Sequence, residues 1–271
     1  MVRFTSIFIT LILVFRTSAY AEDVAAVLSS NSSHYQKAYE AFRKNLKQAH
    51  LLVNLAATPS PKNINHKVIV VFGARAARLP WPEDSSIILV LAPGADLPNR
   101  PTAHRVSMLP QPRALFKALQ MVRPDMNHLY LPWRTAAVGI YAEQVARIGK
   151  KTGFNVLAIQ VKDTAALATS LRALKTNNHQ VIWLPPDPKL IERTSFQMLK
   201  DYCKGRKIPL IAPTASLVKA GADASVSISF AESGRLAAKS VNIILSGGKS
   251  ERLIHSSTFS ITYNPAGINP P

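Results

Sequence analysis

The sequence predicts an α/β protein made of two Rossmann-like lobes, each a parallel sheet covered by helices, with a ligand cleft between them. Three observations lead there. Short unbroken apolar runs such as Lys67–Gly73 (KVIVVFG) and Ser86–Ala92 (SIILVLA) look like parallel strands buried on both faces. They alternate with stretches whose apolar residues recur every three to four positions, the helical period. The alternation breaks in a Pro-rich stretch around residues 93–112 and then restarts, which places two α/β units in series. The 271 residues are enough for two lobes of roughly 100–150 residues each.

The first residues stand apart from this pattern. Arg3 gives a positive start, Phe4–Phe15 is an apolar run, and Ala19-Tyr20-Ala21 is an A-x-A cleavage site before Glu22-Asp23. That is the layout of a secretory signal peptide over residues 1–21. The run is shorter than the ~20 residues that span a bilayer, so the mature chain is expected to be soluble and periplasmic. No cysteine follows the cleavage site to carry a lipid. Net charge is +18. Removing residues 1–21 takes away Arg3 and Arg16 and no acid, leaving +16. The excess is scattered, with only Lys204-Gly205-Arg206-Lys207 as a cluster. A solvated basic surface on an exported protein is expected, with no nucleic-acid partner. The single cysteine, Cys203, excludes a disulfide framework.

In chain order, Asp23–Ser30 is a strand, and Tyr35, Ala38, Tyr39, Phe42 and Leu46 mark a helix over about residues 33–48. Strands follow at His50–Ala56, Lys67–Gly73 and Ser86–Ala92, with a short one at Arg105–Leu109. The second unit opens on a helix marked by Leu115, Leu119 and Val122 and a strand His128–Leu131. Val138, Tyr141, Val145 and Ile148 mark a helix ended by Gly149 or Gly153. Phe154–Val161 is a strand, Asp163 caps the next helix, and His179–Leu184 is a strand stopped by Pro185-Pro186. A helix over 194–204, a strand Pro209–Ile211, a short helix Thr214–Lys219, a strand Ala224–Phe230, a helix Gly234–Ser246 and a strand Ser257–Tyr263 complete it.

The segment Asp163–Gly248 carries a family likeness. A strand Val181–Leu184 ends in Pro185-Pro186-Asp187, followed by Lys207-Ile208-Pro209, then Gly221-Ala222, then the helix Gly234-Arg235-x-Ala237-Ala238 ending in Leu245-Ser246-Gly247. This order resembles the ABC transporter substrate-binding proteins of the tryptophan- and tyrosine-type, which have the type I periplasmic binding fold. The resemblance implies three crossovers between lobes. Lobe one would hold residues 22–110 and about 231–250, and lobe two residues 111–230 and about 251–271. It also implies a small, amino acid-like ligand trapped by hinge closure and a membrane permease as partner. A sensory subunit that presents its ligand-bound form to a membrane signalling receptor is the alternative. A monomer with no cofactor and no metal is expected. The first half departs from the family at Ala92-Pro93-Gly94-Ala95-Asp96, His104–Ser107 and Leu131–Arg134, all cleft loops.

Ligands of doubly wound sheets sit beyond the carboxyl ends of the strands, where helix N-termini offer free N–H groups. Ser29, Ser30 and Asn31 occupy that position after the first strand and suit a carboxylate, or serve only as helix caps. Trp133 and Arg134 follow a strand of the second unit. Trp could stack on a ring and Arg hold an acid, or both could pack on the surface. Asp187, through the resemblance, is expected to pair with a ligand amino group. Ala92, Pro93 and Thr214 line the cleft by position. No catalytic set is found. The seven histidines lie far apart, no serine sits in G-x-S-x-G, and Gly247-Gly248-Lys249-Ser250 lacks the first glycine of a P-loop. Asn31-Ser32-Ser33 matches a glycosylation sequon by chance pattern, and Cys203 reads as a buried thiol on its helix with Phe196 and Leu199.

Overall fold

The computed structural model describes residues 23–266, apart from 63, 94, 96, 98, 99, 101 and 176. The leader, and residues 267–271 of the tail, lie outside the described residues.

The apolar runs become strands of two six-stranded sheets. The first contains β1 (Val24–Leu28), β2 (Leu51–Asn54), β3 (Val68–Phe72), β4 (Ser86–Val90), β5 (Ala103–Pro110) and β11 (Leu253–Ser256), in the order β11-β5-β4-β3-β1-β2. Every pair in it is parallel. The second contains β6 (His128–Trp133), β7 (Asn155–Gln160), β8 (Gln180–Trp183), β9 (Leu210–Ala212), β10 (Ala224–Ser227) and β12 (Ser260–Tyr263), in the order β12-β10-β9-β8-β6-β7. Only β12 runs antiparallel. The two sheets repeat one topology: the first strand of each unit is flanked by the second and third. Each therefore has a switch point, between β1 and β3 and between β6 and β8, where a crevice opens.

Helices cover both faces, which is why β1, β3 and β8 are buried at every position. On one face of the first sheet lie α1 (Ser33–Asn45) and α8 (Phe230–Leu245), whose Phe42, Leu236 and Val241 meet Phe72 and Val70. On the other, α2 (Ala74–Ala77) and Trp81 cover Ile69, Val71 and Ile87. In the second sheet, α3 (Pro112–Val122) and α4 (Ala136–Thr152) bury Leu119 and Tyr141 against Trp183. There α5 (Thr164–Ala173) and α6 (Arg193–Arg206) bury Leu171, Leu199 and Cys203 on the far face. Burial pushes the Cys203 thiol far above its ordinary range, so it is inert at neutral pH. The short α7 (Ala215–Lys219) follows β9.

Three differences from the sequence expectations have physical reasons. The expected strand end at Phe230 is the first residue of α8. Ser229-Phe-Ala-Glu232 is a capping sequence, and Ser229 Oγ accepts from the Glu232 N–H at 3.1 Å. The tail from residue 251, expected wholly with lobe two, is divided. Leu253–Ser256 pairs with β5 in the first sheet before Ser260–Tyr263 joins β10 in the second. β11 is a four-residue edge strand with mixed burial, so no apolar run announces it, whereas β12 falls within the expected strand Ser257–Tyr263. The four residues of α2 are too few to show a helical period.

Candidate ligand cleft

Leu91, beyond β4, and Pro186 and Pro213, beyond β8 and β9, share one cavity, and the expected site residues fall into three places. In the second lobe, Trp133, Arg134 and Asp187 come together where β6 and β8 end. Asp187 is fully buried. Its Oδ2 accepts from the Arg134 and Thr135 N–H groups, both at 2.8 Å, and from the Thr135 hydroxyl at 3.1 Å. Its Oδ1 accepts from the Lys189 N–H at 3.1 Å. The carboxylate thus occupies the anion position at the N-terminus of α4, where unpaired N–H groups and the helix dipole favour negative charge. It holds the loop and is closed to a ligand amino group, which corrects the expectation for it.

Its neighbours also make contacts within the lobe. Arg134 donates from Nη1 to the Lys189 carbonyl at 2.6 Å and to Glu192 Oε1 at 3.4 Å. Glu192 also accepts from Thr164 at 2.8 Å and Ser195 at 3.0 Å, and these hydrogen bonds hold its carboxyl below the ordinary range. The Trp133 ring lies over Gly139, where a Cβ would come within 2.5 Å of it. Trp133 thus packs one part of its ring within the lobe, and Arg134 is tied there through Nη1.

In the first lobe, Ser29 follows β1. Its hydroxyl accepts from the Ala76 N–H at 2.9 Å and so caps α2. Ser30 Oγ lies 3.4 Å from the Ser32 N–H, and the Asn31 carbonyl oxygen accepts from Asn54. These are the capping and turn uses weighed above. Ala92 is buried and Pro93 exposed beyond β4. The Arg105 guanidinium bonds the Ala92 carbonyl at 3.1 Å, and the Ala95 carbonyl as well.

The third place is a cavity of about 810 Å³ walled by both lobes. Thr214 lies in it, as do Leu91 and Pro186, the neighbours of Ala92 and Asp187. The first lobe contributes one face of α1, including Lys37, Glu40 and Lys44, together with Met108. The second lobe contributes Pro186, Pro213, Thr214 and Ala215, and the crossover contributes Ile228 and Phe230. Sequence reasoning missed the α1 face because Lys37, Glu40 and Lys44 read as an ordinary solvated stripe. Phe230 ends the expected strand Ala224–Phe230, which hides its place at the head of α8. Of the residues expected to line the cleft by position, Thr214 is in the cavity wall and Ala92 and Pro93 are not.

Three connections join the lobes: β5 to α3, β10 to α8, and β11 to β12. They are tied to one another. Tyr141 from α4 donates to the Pro110 carbonyl at 2.8 Å, and Gln111 N–H donates to the Ser256 carbonyl at 2.8 Å. His255 Nδ1 lies 3.0 Å from the Leu109 carbonyl. Ser256 Oγ donates to Glu232 Oε1 at 2.9 Å. Arg235 and then Ser256 hold the Glu232 carboxyl below its ordinary range. Among the described residues, no group of three or more His, Cys, Asp or Glu could hold a metal ion, and no helix is long and apolar enough to cross a membrane.

Comparison with known proteins agrees with this architecture. A structure from Streptococcus pneumonia described as an ABC domain in complex with L-Trp is 15% identical, with a TM-score of 0.52, covering 92% of this chain and 96% of that one. A ligand-free, open substrate-binding protein with adhesive properties from Clostridium difficile is 14% identical, with a TM-score of 0.57, covering 90% and 92%. A glucose-galactose binding protein from Geobacillus stearothermophilus is 10% identical, with a TM-score of 0.51, covering 90% and 98%. At these identities the likeness shows the fold alone. No curated protein matches the chain. The family model described as ABC transporter substrate binding protein matches residues 120–263, just over half of the sequence. With the two-lobed type I periplasmic binding fold, that match makes the chain a member of the ABC transporter substrate-binding protein family.

Proposed function

We propose that the protein is the exported binding component of an ABC-type transport system, closing two lobes on a small organic ligand and presenting the closed form to a membrane permease. The observation that carries this is the cavity of about 810 Å³ with walls from both lobes, within the size range of small-molecule sites. Three tied crossovers let such lobes rotate as units without unravelling. The moving units would be residues 23–110 with 230–256, and 111–229 with 257–266. The leader-like residues 1–21 support a periplasmic location. An amino acid-like compound belongs to the class expected from the family, while L-tryptophan and glucose-galactose belong to the structures named for them.

The test is thermal unfolding of the purified chain against a panel of amino acids, sugars and organic acids. A specific ligand at 100 times its Kd should stabilise by about 2.7 kcal/mol. A panel in which no compound moves the transition would contradict the reading.

A further inference from the structure

We infer that the ligand of the interlobe cavity is an apolar organic anion, a carboxylate on an aryl or alkyl body, and not a zwitterionic amino acid. This rests on the reading of the cavity as the transport ligand's site. Two of the large hydrophobic side chains left exposed in the fold, Met108 at 36% and Phe230 at 41%, face this same cavity from different segments. Ile228, Pro186 and Pro213 extend the apolar wall. Leu91, also in the wall, is held at φ +49°, a left-handed conformation rare for a bulky residue. Backbone kept in such a state clusters at ligand clamps. Such a wall can bury an apolar body.

The charges select the other end. Lys37 and Lys44 line the cavity, and among the described residues neither ammonium has a hydrogen-bond or ion-pair partner. Lys44 also faces the carbonyl end of α1, where a cation is favoured in any case. Lys37, in the first half of that helix, has no such use. The single acid among the described residues of the same wall, Glu40, shares one oxygen with Arg43 at 2.8 Å and is outnumbered by the two lysines. Asp187, next to wall residue Pro186, is fully buried and saturated by four internal donors. An α-ammonium entering this cavity would meet a wall of net positive charge, two lysines against one acid already shared with Arg43, and ordering it there is unfavourable. A carboxylate would find two cations.

Calorimetric titration of the full chain with matched compounds tests this. 3-Phenylpropanoate, phenylalanine and 2-phenylethylamine share one aryl body and differ in charge, and octanoate supplies an alkyl body. At least one of the two carboxylates should bind about tenfold or more tighter than phenylalanine, and the amine should not bind. The double variant Lys37→Gln/Lys44→Gln should weaken that carboxylate by about fivefold, and Phe230→Ala should weaken it too. All three side chains are exposed, and an unchanged melt without ligand checks that the variants fold. Phenylalanine binding as well as or better than both carboxylates would overturn the inference while leaving the two-lobed binding reading intact. So would failure of both carboxylates when another compound of the wider panel binds, or wild-type affinity in the double variant. If no compound of the wider panel binds at all, the transport reading fails, and the inference with it.

Discussion

Asp187 shows most clearly how a single residue is committed in this fold. A fully buried carboxylate is tolerated only when hydrogen bonds replace the water it has lost, and here four donors do so. Asp187→Asn keeps one accepting oxygen and turns an NH₂ group toward either Lys189 N–H or the Arg134–Thr135 pair. The expected loss is about 2–3 kcal/mol of stability, read as a lower urea midpoint with unchanged slope. The resemblance pointed to this position through Pro185-Pro186-Asp187, and the residue does organise the end of β8. Its role was not legible, because the donors come from residues 134 and 135 and sequence does not state such long-range distances. Ser29 repeats the lesson, since its cap is given to Ala76 across 47 positions. Thr214, one residue past the Pro213 that follows β9, lies in the cavity wall, whereas Ala92 and Pro93, expected there on the same ground, do not.

At the scale of elements, the packing of α1 on α8 joins residues nearly 200 positions apart and completes the first lobe. Gly234 makes it possible. A Cβ there would lie 1.8 Å from the Ala38 carbonyl oxygen, a contact no rotamer relieves because both partners are backbone. Gly234→Val should cost about 3 kcal/mol or prevent folding, while Gly205→Ala, on α6 with open space around it, should be neutral or mildly stabilising. Thermal melts of the two variants compare them directly, and equal losses would contradict the account. The glycine belongs to the Gly-Arg-x-Ala-Ala run on which the family likeness rests, so its physical use explains part of that motif. Elements with long apolar runs or clear period were legible throughout. Those missed, α2 and β11, are four residues each, and neither carries an unbroken apolar run or a full helical period to mark it. Pairing with β5, far earlier in the chain, holds β11 in place.

The whole molecule repeats one sheet topology twice and joins the copies by three strands of chain. Two lobes were legible because the strand–helix alternation restarts after the Pro-rich stretch. The cleft lining was not, since it draws on α1, β5 and the β10–α8 crossover, elements assembled only by the complete fold. Hinge closure around a ligand is the central claim, and an interlobe distance measures it most directly. Arg75, just beyond β3, and Lys189, beyond β8, are exposed on opposite lobes at equivalent strand ends. Cysteines placed at these two positions can be spin-labelled while buried Cys203 stays unreactive. With saturating ligand, pulsed dipolar spectroscopy should show the distance between labels shorten by several ångströms and its distribution narrow. An unchanged distance in a sample whose ligand binding is proved by calorimetry would contradict closure, and with it the account of this protein as a two-lobed trap.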